Sequence, residues 1–255
     1  MAHADKKTAL NQGGIIFAFL AVLTVLEFFI AITIGAVMLL VVIALVKAGL
    51  VGYYYMHIYR LNLEDEGTHE SYAYKTGTNR LGLWLFLLSD GFVFAGLAVA
   101  RFNLLGLTRP HLNQTLGLLV TAVLLISSFF MNRAETSMEH GDRRGFLLGI
   151  SLTLILGIGF LLGVVGVEWP QAIQEGVTPS SSAAGAIFFM MTGMHAFHVL
   201  TGVILLTVVL RNGARGLYLG EKHWAVEAAA VYWHFVDVVW IFFYPALYLI
   251  GTLLA

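Results

Sequence analysis

The chain has 255 residues, of which 59% are hydrophobic and only 11% charged, less than half the roughly 25% of an average soluble domain. With 14 Lys or Arg against 15 Asp or Glu, it has neither the polar surface of a water-soluble enzyme nor the composition of a disordered chain, and no basic excess to attract nucleic acid. The absence of cysteine excludes disulfides, thiolate nucleophiles and Cys-ligated metals.

Continuous apolar runs near 20 residues long, rather than alternating segments of ~10, predict an all-α, seven-span transmembrane helical bundle. In chain order the spans fall near Gly14–Ile32, Val37–Tyr59, Leu81–Arg101, Leu112–Met131, Gly145–Val167, Ala184–Leu210 and Val226–Leu253. Gly14 to Tyr59 as one helix would be about 69 Å long, more than twice a ~30 Å hydrocarbon core, so two passes with a tight turn near Gly35 are expected. No small-residue cleavage site follows Lys6 and Lys7, so the start does not read as a removable signal peptide.

Basic residues set the expected orientation. Lys6, Lys7, Arg60, Lys75, Arg80, Arg133, Arg143, Arg144, Arg211, Arg215 and Lys222 fall on one side of a seven-span arrangement, and only Arg101 and Arg109 on the other. That bias places the N-terminus in the cytoplasm and the C-terminus outside. Residues 60–79 are the longest polar stretch, rich in acids around Glu64, Asp65 and Glu66. They read as a linker between a two-helix hairpin (1–60) and a five-helix body (80–255).

An ionisable group in lipid calls for a partner or a job. Asp90, His195, His198, His234 and Asp237 all fall about 9 to 17 Å from the cytoplasmic face, counting ~1.5 Å per residue through a ~30 Å core. They should therefore share one layer, with His195 and His198, and His234 and Asp237, each on one helix face. Three readings stand on these residues: haem ligation by facing histidines such as His198 and His234, proton handling by Asp90 with or without Asp237, and interhelical hydrogen bonding. In a hairpin taken to turn near residue 37, Glu27 and Lys47 are each ten residues from the turn, which predicts an intramembrane ion pair. His57, among the tyrosines of YYYMHIYR, reads as an interfacial anchor. The last span contains no lysine for a retinal Schiff base, and no filter or acidic pore ring suggests a channel.

Several segments are specific enough to carry a resemblance. Glu227–Leu249, with the core YWHFVDVVW (Tyr232–Trp240), resembles the last helix of subunit III of haem-copper cytochrome c oxidases. Phe188–Ile204 is similar to the family's Thr-Gly-x-His-x-x-His-Val segment, and Arg80–Gly96 to its first common helix. Glu168-Trp169 stands close to the family's Glu-Tyr. This likeness spans about residues 79–255. The hairpin, with LTVLEFFIA (Leu23–Ala31) and VKAGLVGYYYMHIYR (Val46–Arg60), resembles the small bacterial oxidase subunit IV. It reads first as a subunit IV-like unit fused to subunit III, and otherwise as a replacement for the first two helices of a seven-helix subunit III.

The resemblance implies a supporting subunit of a terminal oxidase in the respiratory chain, in a bacterial plasma membrane, with no redox centre and no metal of its own. Haem and copper would sit in partner subunits I and II, and phospholipid would bind to this chain. Glu168, His195, His198, Glu227, His234 and Asp237 become family-typical packing and lipid-contact positions, with no catalytic residue among them. Asp90 stands where the family often has a buried Glu, which keeps the carboxylate one methylene shorter and leaves it the proton-related candidate. Quinol oxidase and nitric-oxide-reducing relatives share the pattern, and a b-type haem anchor is the rival outside the family.

Overall fold

In lipid, each backbone N–H and C=O must find a partner within its own segment, so an apolar run of span length folds as a helix. The four prolines respect this rule. Pro110 and Pro179 lie between helices, while Pro170 and Pro245 stand at the first positions of short continuations. The computed structural model describes residues 6–59, 72–110, 112–218 and 223–253.

The chain begins with α1 (Lys6–Thr33), a turn through Gly35 at φ 63°, and α2 (Val37–Leu50), which continues as a π-type turn over Val51–Tyr55. Next come α3 (Tyr72–Leu105), α4 (Gln114–Glu139) and α5 (Arg143–Leu161). The fifth span continues through a π-type stretch (Leu162–Glu168) into the short α6 (Trp169–Gln174). It is followed by α7 (Ala183–Ala214) and α8 (Trp224–Tyr244), the latter ending in a π-type turn over Pro245–Leu249. Side-chain caps start three helices: Asn113 accepts from Leu116 N–H at 3.0 Å, Asp142 from Gly145 at 3.0 Å and Ser182 from Gly185 at 3.1 Å. Among the described residues, seven helices are long and apolar enough to cross a membrane.

One boundary differs from the sequence reading. α3 begins at Tyr72, so Tyr72–Asn79, assigned above to the linker, is the first part of the third span's helix. Contacts at that end account for it. The Tyr72 hydroxyl accepts from Trp224 N–H at 3.3 Å, and Arg80 pairs with Glu227. Residues 60–71 of the expected linker lie outside the described residues.

α8 is the central helix. In its most apolar window 78% of the residues are buried, against 11% in α3, whose side chains face mostly outward. The hairpin packs through α1 on α4 and through α2 on α8. Two glycines make room at the centre. Gly157 on α5 and Gly202 on α7 both lie against the Trp233 ring, where a Cβ would clash with the indole. Small residues admit close helix approach in the absence of a hydrophobic drive, and Trp233 then donates its indole N–H to Ser127 at 3.1 Å. At one end of the bundle Thr108–Arg109 and Thr252–Leu253 form a short parallel pair. Gly251 permits it, with φ 109° and the Leu107 carbonyl where a side chain would stand.

Candidate functional site

Among the described residues, three centres of buried polar groups join helices in the hairpin, between α8 and α4, and between α3 and α7. The first lies in the hairpin. Lys47 Nζ donates to Glu27 Oε2 at 2.5 Å, with the two side chains 2% and 0% exposed. Tyr55 fixes the hairpin further by donating to the Gly13 carbonyl at 3.0 Å.

The second centre is on the face of α8 toward α4 and the hairpin. Ser128 Oγ and His234 Nδ1 are 2.6 Å apart, and Asp237 Oδ2 lies 3.8 Å from the same nitrogen. The His234 ring packs against Tyr55 with centroids 5.0 Å apart. Trp240 donates to Thr121 at 2.9 Å one turn along.

The third centre joins α3 and α7. His198 Nε2 stands 3.0 Å from Asp90 Oδ2, while its Nδ1–H donates to the Met194 carbonyl at 2.7 Å. A carbonyl only accepts, so Nδ1 carries a proton. Nε2 therefore faces the Asp90 carboxyl in a close polar contact that lacks hydrogen-bond geometry. His195, one turn away on α7, turns to α8 and donates from Nε2 to the Val236 carbonyl at 3.1 Å.

The five groups placed in one layer by counting are thus distributed over different contacts. Asp90 meets His198, His234 meets Ser128 near Asp237, and His195 meets backbone. His198 and His234 engage separate partners, Met194 and Asp90 for one and Ser128 for the other. Glu168 is buried and accepts a hydrogen bond from the Tyr248 hydroxyl. Glu227 receives Arg80 in a two-point contact, Nε to Oε1 at 3.0 Å and Nη2 to Oε2 at 3.3 Å. His57, with a left-handed φ of 50°, places Nδ1 3.8 Å from Glu135 of α4, a contact not expected from the sequence.

Arg101 is the residue that sequence reasoning passed over. Counted above as a charge on the outer side, it is fully buried. Its guanidinium donates to four carbonyls: Ala246 at 2.6 Å, Gly106 at 2.6 Å, Thr108 at 2.8 Å and Ile250 at 2.9 Å. It also lies over the Phe102 ring, 4.7 Å from the centroid. A helix end leaves carbonyls without intrahelical partners, and the planar fork of arginine serves several at once. A signal was available: an arginine at a span terminus, at the same end as the Tyr-Pro break of the last helix.

Outside the spans, Asp142 caps α5 and accepts from Lys6 Nζ at 2.5 Å. The Gly145 N–H and then Lys6 hold its carboxyl below the ordinary 3.8. A carboxyl depressed in the folded state contributes stability at neutral pH that is lost as the pH falls through the folded value. Asp142→Ala is therefore expected to cost about 1 kcal/mol at pH 7. The gap in Tm between wild type and variant should shrink in acid, below about pH 4. A gap that stays constant into acid would refute the assignment.

A seven-span helical bundle whose buried ionisable groups are engaged with side chains and backbone of neighbouring helices, with no three His, Cys, Asp or Glu side chains converging for a metal among the described residues, is a multi-pass membrane protein. The family described as "Cytochrome c oxidase subunit III" matches residues 10–252. The chain is 34% identical over 186 residues to cytochrome c oxidase subunit 3 of Oryctolagus cuniculus, covering 68% of this chain and 70% of that one. It is 36% identical over 188 residues to the Oncorhynchus mykiss subunit 3, at 68% and 70% coverage, and 32% over 200 residues to that of Equus caballus, at 73% and 74%. The chain belongs to the cytochrome c oxidase subunit III family. As a member it is a component of a multi-subunit oxidase complex.

Proposed function

We propose that the chain supports a respiratory haem-copper oxidase of a bacterial plasma membrane without carrying a redox centre of its own. The complex passes electrons to O2 and pumps protons, with haem and copper in subunits I and II, which are this chain's partners. The observation that carries the reading is how the buried polar groups are used. Glu27 with Lys47, Asp90 with His198, Glu168 with Tyr248 and Glu227 with Arg80 each join two parts of the bundle. His195 and His198 donate to backbone carbonyls. Imidazoles held in this way secure packing. The outward apolar face of α3, with Leu85, Leu88 and Phe92 exposed, supports phospholipid binding along that side.

The N-terminus lies in the cytoplasm, by the basic-residue bias. The hairpin stands in the place of the family's first two helices. That the family match begins at residue 10, inside α1, supports this over a fused subunit IV. Asp90, in contact with His198 between α3 and α7, supports proton uptake by subunit I. Asp90→Asn should leave the complex assembled and lower proton uptake or turnover lifetime modestly. Loss of assembly in that variant would make Asp90 a packing group only. The non-redox role is tested by a reduced-minus-oxidised spectrum of the isolated chain. A flat spectrum is expected, and a b-type α-band would overturn the reading.

A further inference from the structure

Between the hairpin and the central helix lies a cavity of about 20 Å³, lined by Thr24 of α1, Lys47 of α2, Thr121 and Ser128 of α4, and Asp237 and Trp240 of α8, together with aliphatic side chains. We infer that it is a binding site for one water molecule, which bridges Lys47 to Asp237 and links the hairpin to the core by hydrogen bonds.

Size and polarity agree. A cavity that holds a water needs ~10–15 Å³ and two to four polar partners, whereas cavities that stay dry are lined by apolar groups. Here the lining supplies an ammonium, a carboxyl and three hydroxyls. The decisive atoms are those of Asp237. The residue is 4% exposed, and among the described residues neither carboxyl oxygen has a hydrogen-bond partner. A buried carboxyl without partners is costly, so an acceptor of this kind in a polar cavity calls for a donor.

The neighbours decide which donor. Lys47 directs one N–H to Glu27, leaving donors to spare, since an ammonium has three. Thr24 donates to the Leu20 carbonyl at 2.8 Å, and Thr121 donates to Gly117 at 2.7 Å while accepting from Trp240. Each hydroxyl thus keeps acceptor capacity but has no proton to give to Asp237. Ser128 lies 2.6 Å from His234 Nδ1 and also approaches Asp237, but its single proton can serve at most one of the two carboxyl oxygens, so the other still calls for a donor. Water resolves the mismatch, because it both donates and accepts. It accepts from Lys47 and donates one proton to Asp237 and the other to a threonine oxygen. The result is a continuous chain, Glu27–Lys47–water–Asp237, which crosses from the hairpin to the helix carrying the His234 centre.

Two measurements test this on the full chain in its assembly. A map fine enough to resolve ordered solvent should show one oxygen within hydrogen-bond distance of both Asp237 and Lys47. Direct contact of the two side chains, or an apolar chain in the cavity, would overturn the proposal. The second measurement compares Thr24→Ile with Thr24→Val. Isoleucine removes the hydroxyl and fills the space, so it should expel the water and lower Tm by roughly 3 °C or more, while valine, adding no volume, should lower it less. A rise or no change in Thr24→Ile would mean a dry void filled without cost. Equal losses in the two variants would mean that the hydroxyl alone matters. Each of these results would sink the site.

Discussion

Replacing Arg101 with methionine is expected to destabilise the chain by about 4 kcal/mol, taking two of its four carbonyls as stranded at ~1–3 kcal/mol each for a buried unsatisfied group. The methionine fills part of the volume but donates to none of Ala246, Gly106, Thr108 and Ile250, all of which the guanidinium now serves. These acceptors belong to the end of α3, the loop after it and the close of the last span, so the damage should be local. The segment beyond Pro245 should loosen and become open to protease. Thermal unfolding in detergent should show a Tm lower by ~10 °C, at roughly 2–4 °C per kcal/mol. Arg101→Lys keeps the charge but not the fork, so it should fall between wild type and methionine. A methionine variant with unchanged Tm and an intact C-terminal segment would refute the role given to Arg101.

The second large effect is expected at the hairpin. Lys47→Met leaves the Glu27 carboxyl buried without its ammonium. Breaking a buried pair by removing one partner costs about 3–5 kcal/mol, whereas replacing both members can be close to neutral. The double variant Glu27→Gln with Lys47→Met should therefore be more stable than Lys47→Met alone, although it carries one more change. Both side chains are almost fully buried, so the screening that weakens surface pairs does not apply. Equal losses in the single and double variants would show that the pair contributes through shape rather than charge.

These contacts differ in how far the sequence alone could reach. Glu27 and Lys47 lie eight and twelve residues from Gly35, where the chain turns, an offset of about one helical turn that the long lysine side chain spans, so counting brought them near one another without setting them level. Counting also put Asp90, the histidines and Asp237 at similar depth. It could not say that Asp90 faces His198 while His234 faces Ser128, because depth does not give rotation. That information would come from a polar face and an apolar face, and α8 is buried nearly all round and has neither. Arg101 was hidden for a related reason. The rule that assigns orientation treats every arginine near a span end as a solvated charge, and here the ligands are backbone carbonyls with no sequence signature. Tyr72–Asn79 looked like a loop because it is polar and contains Gly77. It is helical because the contacts of Tyr72 and Arg80 with the start of α8 hold it there. The π-type turns at Val51–Tyr55, Leu162–Glu168 and Pro245–Leu249 likewise depend on neighbours rather than on local propensity.

The role proposed for this chain is that of a supporting subunit inside an oxidase, with no redox chemistry of its own. Isolation in mild detergent through a tag on this chain, followed by mass spectrometry and an absorption spectrum of what comes with it, tests that role. The expected result is recovery with a large haem-binding subunit, with all haem absorbance following that partner when the subunits are separated. Recovery of the chain alone, or haem absorbance that stays with it after separation, would contradict the account.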